Sequence, residues 1–118
     1  NLFLCNAAKT AYYLLMMPGD KKYRAPLLSQ QLHTTRLSFA DVGSMEEHLR
    51  IMPGSVSVLG LMNDIHCAVR LLIDKDVLRH EFVGCHPCVN TSSLRVSMDD
   101  ILNRFLPYTG HVPTVVEL

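Results

Sequence analysis

The pattern of apolar and polar residues in this chain predicts strands more often than helices. Apolar runs of about four to eight residues, bounded by Gly, Pro, Asn or Asp, are typical of strands. Seven segments have this pattern: residues 2–5, 11–17, 36–39, 67–74, 81–85, 92–96 and 112–118. The first two are separated by polar residues and are predicted to form a hairpin.

Helical signals are short. Residues 25–32 form one predicted helix, with Pro26 in its first turn. Ser44 lies three residues before Glu47, which is the spacing of a capping box. A second helix is therefore predicted to begin at Ser44 and to end near Arg50.

A third helix is predicted to follow Ser97, whose hydroxyl lies three residues before the carboxylate of Asp100. Pro107 is predicted to end this helix, because proline interrupts the hydrogen-bond ladder. Its apolar face is predicted at Ile101, Leu102, Phe105 and Leu106. Strands that outnumber short, intermittent helices predict an α+β fold around a mixed sheet.

Composition indicates a chain with a hydrophobic core and limits its partners. The 118 residues fit one domain, and 48% of them are hydrophobic, with a mean hydropathy of +0.16. Eleven basic residues balance eleven acidic ones, so no basic surface for duplex DNA is expected. Contact with the end of a nucleic acid would need only a few local charges. No run reaches the roughly 18 to 20 apolar residues of a membrane span.

The chain begins at Asn1 inside an apolar run, without an initiator Met or the basic region of a secretory signal. It therefore looks like a single domain, residues 1–118, taken from a longer protein and lacking its N-terminal part. Four cysteines without regular spacing favour a reduced, cytoplasmic setting. Cys5 and Cys67 are expected to be small core residues.

Cys85 and Cys88 form a C-x-x-C motif. A redox pair needs its first cysteine at a helix N-terminus, but the residues after Cys88 favour a strand. A zinc site would need His66 and Cys67 as further ligands, and adjacent side chains on a strand point to opposite faces. Redox and metal chemistry are therefore the less favoured alternatives.

His86 is the stronger candidate in this segment. Pro87 restricts it to an extended conformation, and Gly84 lets the backbone turn or approach a ligand closely. A histidine held in this way can donate a hydrogen bond or act as an acid or base near neutral pH. The remaining histidines are expected to be surface or packing residues: His33, His48, His66, His80 and His111.

Three spaced segments together resemble one known family. They are Asn1-Leu2-Phe3-Leu4, then Pro53-Gly54-Ser55-Val56-Ser57 with Gly60-Leu61 and Asn63-Asp64, then Gly84-x-His86-Pro87-x-x-Asn90-Thr91. In this order they are similar to the YbaK/prolyl-tRNA-synthetase-associated domain family, specifically its free-standing ProX-type branch.

This resemblance implies a mixed, barrel-like sheet with short surrounding helices. It implies hydrolysis of the ester of a mischarged aminoacyl-tRNA, and the ProX-type branch acts on alanyl-tRNA(Pro). The implied partner is the 3′ aminoacyl end of a mischarged tRNA, with no cofactor, no metal, no DNA and no membrane.

The same resemblance assigns site residues. Asn1 and His86 would be catalytic, with Asn1 orienting the water or the terminal ribose and His86 positioning the substrate. The substrate would lie in a small pocket between two loops, where it would contact Ser55, Val56, Ser57, Val58, Gly60, Leu61, Gly84, Pro87 and Asn90.

The sequence also departs from the family pattern. The family has a catalytic Lys directly before the Asn that matches Asn1, and the sequence does not contain it. The family usually has Pro-Phe-Gly at positions 58–60 and Asn at Cys88, so the resemblance constrains the reaction more than the amino acid accepted. A catalytically impaired tRNA- or aminoacyl-binding module of the same fold is the main alternative.

Overall fold

Five strands form one mixed sheet in the computed structural model, which describes residues 1–52, 54–86 and 94–118. In chain order the strands are β1 (Leu2–Cys5), β2 (Tyr12–Met16), β3 (Ser38–Phe39), β4 (Val69–Asp74), β5 (Phe82–Cys85), β6 (Leu94–Ser97) and β7 (Thr114–Val116). Across the sheet the order is β3, β1, β2, β4, β7, and β5 pairs with β6 in a separate hairpin.

The strand directions make the sheet mixed. β1 is antiparallel to both β2 and β3, whereas β2 and β4, and also β4 and β7, are parallel. The predicted α+β class with a mixed sheet is confirmed, and each of the seven predicted strands overlaps an observed one. The five described strands form an open sheet with β3 and β7 at its edges.

The central strands are buried on both faces of the sheet. Successive side chains of a strand point to opposite faces, so Leu14 and Leu71 face one layer while Leu15 and Leu72 face the other. The first layer also contains Ile101, and the second is closed by α1. This explains why the central strands read as continuous apolar runs rather than alternating ones.

The helices are short. In chain order they are α1 (Ala25–Leu32), α2 (Val42–Leu49), a 3₁₀ helix (Val58–Asn63), a 3₁₀ turn (Val77–Arg79), α3 (Met98–Asp100), a π-helical segment (Ile101–Phe105) and α4 (Leu106–Thr109). The predicted helix 25–32 is confirmed. The predicted cap at Ser97 is also confirmed, because its side chain accepts a hydrogen bond from the backbone N–H of Asp100 at 3.0 Å.

Two predicted helix boundaries are wrong. α2 begins at Val42 because the carboxylate of Asp41, rather than the hydroxyl of Ser44, caps it and accepts the Ser44 N–H at 2.7 Å. Pro107 does not end the last helix, since it lies at the start of α4, which directly continues the π-helical segment Ile101–Phe105. That helix ends at Gly110, which has a φ of 80°.

The cysteine and histidine expectations are met in part. Cys5 is buried, as expected. Cys67 is exposed, so the expectation of a core residue is wrong there; its φ of 52° places it in a turn before β4. His111 is a packing residue, buried against Asp64 at 2.8 Å. In the part of the chain that the structure describes, no helix has the length and hydropathy to cross a membrane.

Candidate active site

Three segments that are distant in sequence meet around one cavity of about 350 Å³. They are the start of β1, the loop that follows α2, and the end of β5. The cavity is lined by Asn1, Gly54, Val56, Gly84, Cys85 and His86. The hairpin partner of β5 holds this end in place, with Gly84 opposite Arg95.

Asn1 and His86 lie on the same cavity, although 85 positions separate them in the sequence. Asn1 is at the entry to β1, whose neighbouring strands on both sides fix its position. His86 directly follows β5 and is half-buried. The two residues predicted to be catalytic therefore face a common space.

Hydrogen bonds of the 3₁₀ helix that follows hold the loop carrying Gly54 and Val56 in place. Ser57 is fully buried, and its side chain caps the 3₁₀ helix by accepting the N–H of Leu59 at 3.1 Å. The other end of that helix is tied to α2, because the side-chain amide of Asn63 donates to the carbonyl of Leu49 at 2.9 Å. Gly54 has a φ of 86°, a conformation that glycine adopts without strain.

Three residues of the predicted substrate-binding set lie in the hydrophobic core. Val58 and Leu61 are almost completely buried within the layer under the sheet. A Cβ on Gly60 would come within 2.5 Å of Ile51 Cδ1, so this glycine allows close packing. The resemblance placed these residues at the substrate, whereas the 3₁₀ helix turns Val58 and Leu61 into the core.

The remaining members of the predicted set fall into three groups. Val56 and Gly84 line the cavity. Ser55 and Ser57 are buried beside it, and Ser57 hydrogen-bonds to the side chain of Cys85. Pro87 and Asn90 lie outside the described residues.

Cys85 lines the cavity from its buried side, and sequence reasoning treated it only as half of a C-x-x-C motif. Burial raises the pKa of its thiol, and the hydrogen bond with Ser57 opposes that effect only in part. A redox nucleophile needs the opposite shift, toward the thiolate. Cys88, the second cysteine of the motif, lies outside the described residues.

The zinc alternative gains no support from the described residues. Cys67 Sγ lies 3.7 Å from the carbonyl oxygen atoms of Thr109 and Gly110, whereas Cys85 is at the cavity. Among residues 1–52, 54–86 and 94–118, no three His, Cys, Asp or Glu side chains are grouped as metal ligands.

A second, larger cavity of about 570 Å³ adjoins the first, and sequence reasoning did not find it. It lies between the end of β2 and the β5 strand, and it shares Asn1 and Gly84 with the first cavity. Its residues come from the end of β2 and the Pro18-Gly19-Asp20 segment after it, from the 3₁₀ turn, and from β5. Among its lining residues only Asn1 and Gly84 belong to the motifs of the resemblance, so the sequence contains no signal for this cavity.

The fold is that of known YbaK-type structures. One solved structure is of a protein proposed to be a trans-editing enzyme for prolyl tRNA synthetase; it has a TM-score of 0.68 and 14% identity, and the match covers 99% of this chain and 68% of that chain. Another is the hypothetical protein APE2540, with a TM-score of 0.71 and 19% identity, covering 95% of this chain and 68% of that chain. At these identities the likeness concerns the fold alone.

Comparison of the sequence with known proteins identifies the family of this chain. The family model of the aminoacyl-tRNA editing domain matches residues 1–103, and the chain belongs to this family. It is 30% identical over 118 residues to the prolyl-tRNA editing protein ProX of Acetoanaerobium sticklandii, covering 100% of this chain and 71% of that protein. It is 30% identical to the prolyl-tRNA synthetase associated domain-containing protein 1 of Danio rerio, of which it spans 63%. The resemblance stated from the three motifs is confirmed.

Proposed function

We propose that this domain hydrolyses the ester bond of a mischarged aminoacyl-tRNA, with alanyl-tRNA(Pro) as its substrate. Membership of the editing-domain family supports editing in general, and the likeness to ProX points to the proline system. The mischarged amino acid would enter the 350 Å³ cavity, and the 3′ end of the tRNA would remain outside it.

The observation that carries the proposal is the convergence of Asn1, Gly84 and His86 on one cavity. Asn1 belongs to the first motif of the resemblance, and Gly84 and His86 belong to the last one. Asn1 would orient the attacking water or the ribose, and His86 would position the substrate.

A second hydrolytic site has a clear use in translation. Binding alone separates small amino acids by about 10- to 200-fold, which is too little for translation, so a second site that hydrolyses the mischarged ester is useful. Val56 supplies an aliphatic side chain on the lining of the cavity. In this proposal it would contact the methyl group of alanine.

His86→Ala in the complete gene product is expected to slow alanine release from alanyl-tRNA(Pro) by about 100-fold, because misplacement of the substrate by an ångström costs about this factor. His66→Ala is the matched control, since His66 is exposed and lines neither cavity. Single-turnover release of labelled alanine measures both. An unchanged rate in His86→Ala would remove the assigned role.

A further inference from the structure

The most exposed large apolar side chains of this protein gather on one face. Among the described residues, Tyr108, Val112 and Ile65 are 86%, 84% and 78% exposed, the highest values of any large apolar side chain, and Met62 is 52% exposed. Tyr108 and Val112 flank the turn at Gly110 that ends α4, whereas Met62 and Ile65 lie at and just after the end of the 3₁₀ helix. We call these four residues the Tyr108 face.

The Tyr108 face also contains two cavities. Tyr108, Met62 and Ile65 line one of about 260 Å³. The other has a volume of about 420 Å³ and lies against the turn that follows α4, with Val112 and Leu102 among its residues. A highly exposed aromatic ring therefore lies next to cavities with apolar walls.

A ring and a cavity on the same face suit a two-fold pairing of identical chains. In such a pair each contact occurs twice. The Tyr108 ring of one copy would enter the 420 Å³ cavity of the other, and the second ring would do the same in return. Because the same face supplies the ring and the cavity, this pairing closes and does not extend into a fibre.

The charges on this face do not oppose self-association. Among the described residues that line its two cavities, Asp64 is the only Asp, Glu, Lys or Arg. Its carboxylate is buried and already hydrogen-bonded to Ala68, Val69 and His111. The chain carries eleven basic and eleven acidic residues, so two copies do not repel each other through their net charge.

The extent of the face approaches that of a stable interface. A stable dimer buries about 800 Å² of each partner, a little over a tenth of the 6824 Å² that this chain exposes. The four apolar side chains expose on the order of 500 Å², since a large side chain has roughly 150 to 250 Å² of surface. An apolar patch of several hundred Å² is typical of an interaction site. The polar residues around it would supply the rest of the interface.

We propose that the protein forms a two-fold dimer through the Tyr108 face, with Tyr108 of each copy in the cavity beside Val112 of the other. The residues that line the cavities of this face differ from those that line the two cavities of the candidate active site. The candidate-site residues are therefore outside the interface, and the dimer has two sites. This inference does not depend on the proposed hydrolysis.

Sedimentation equilibrium of the complete gene product over a range of concentrations measures the pairing. The wild type is expected to form a dimer. Tyr108→Ala should raise the Kd of the dimer by about 30-fold or more, the effect of losing an aromatic residue that anchors an interface. Circular dichroism establishes that each variant is folded.

A matched pair of valine variants separates this face from the rest of the surface. Val112→Asp should also weaken pairing, because it places two carboxylates in an apolar interface. Val42 is 49% exposed and begins α2, outside the Tyr108 face. The same change there, Val42→Asp, should leave the Kd unchanged.

Cys67 allows a second measurement in which the interface itself is unaltered. The thiol is exposed, and its Sγ lies 3.7 Å from the carbonyl oxygen atoms of Thr109 and Gly110, beside the turn of the Tyr108 face. In the proposed dimer the two copies of Cys67 lie close enough for a bismaleimide to join them. Cys67→Ser should remove the cross-linked product.

Three results would overturn the proposal. They are a wild type that stays monomeric at every concentration, Tyr108→Ala and Val112→Asp proteins that dimerise like the wild type, and a cross-link of equal yield in Cys67→Ser. Alanine release from alanyl-tRNA(Pro) is assayed separately. A dimer that is lost in Tyr108→Ala but has no hydrolytic activity in the wild type would refute the proposed function and retain the interface.

Discussion

At the scale of single residues, two glycines of the predicted site have opposite roles. Among the described residues, a Cβ on Gly84 would meet only the carbonyl oxygen of Leu94, at 4.0 Å, while one on Gly60 would be 2.5 Å from Ile51 Cδ1 and 3.3 Å from Leu49 Cβ. Both glycines belong to the motifs that carried the resemblance. The sequence could mark both positions, but not distinguish the one that borders open space from the one that packs against the core.

Gly84→Val is expected to reduce kcat/KM for alanyl-tRNA(Pro) by about 100-fold while leaving the free energy of unfolding near the wild-type value. Among the described residues the added Cβ has room, but the side chain would narrow the space beside Gly84, which lines both cavities. Gly60→Ala should instead lower the free energy of unfolding by about 1 to 3 kcal/mol through overpacking. Urea unfolding and single-turnover hydrolysis separate the two effects, and loss of stability in Gly84→Val would contradict this assignment.

At the scale of secondary-structure elements, the sequence predicts where strands and helices occur better than where they begin. α1 has the predicted bounds, whereas α2 begins before Ser44 because an aspartate three residues earlier takes the capping position. Both Asp41 and Ser44 are good capping residues. The choice depends on the path of the chain from β3 into the helix, which the local sequence does not specify.

Asp41 should make stability depend on pH in the acidic range. Hydrogen bonds from the backbone and side chain of Ser44 lower its pKa below the usual 3.8 in the folded state. A lowered pKa stabilises the fold above the unfolded-state value, and this contribution is lost as the pH falls through the folded-state value. Asp41→Asn keeps an oxygen acceptor but does not titrate. The wild type should therefore lose stability relative to Asp41→Asn as the pH decreases below about 4. Urea unfolding at several pH values measures the difference in free energy of unfolding between the two proteins. A difference that does not change with pH would contradict the cap.

At the scale of the whole molecule, contacts between distant segments determine what the sequence could not predict. β2 pairs in parallel with β4, so Leu14 lies beside Leu71, and no local pattern encodes that neighbour. The site is assembled by the same long-range pairing, which explains why the first cavity was predicted from a family resemblance and the second was not. Asn1, Val56, Gly84 and His86 line the first cavity, and their roles there stay predictions.

A buried hydrogen bond between Asp64 and His111 joins the end of the 3₁₀ helix to the segment before β7. Asp64 accepts the N–H groups of Ala68 and Val69 at 3.0 and 2.8 Å, and one of its oxygen atoms lies 2.8 Å from His111 Nε2. Both side chains are almost fully buried. This contact fixes the turn that leads into the central strand β4.

His111→Ala is expected to lower the free energy of unfolding by about 1 to 3 kcal/mol, because it removes one of the three hydrogen-bond partners of the buried Asp64 carboxylate. Adding Asp64→Asn to this variant should cost less than the sum of the single changes, since the two residues interact directly. Denaturant unfolding of the four proteins in this cycle gives the coupling. Additive effects would contradict a coupled pair.

The central claim is that this domain hydrolyses tRNA(Pro) mischarged with alanine, and one comparison tests it most directly. The complete gene product is incubated under single-turnover conditions with alanyl-tRNA(Pro) and, separately, with prolyl-tRNA(Pro), and release of the amino acid is followed. The account predicts release of alanine well above the spontaneous rate and no acceleration for proline. Alanine release at the spontaneous rate, or equal release of both amino acids, would contradict it.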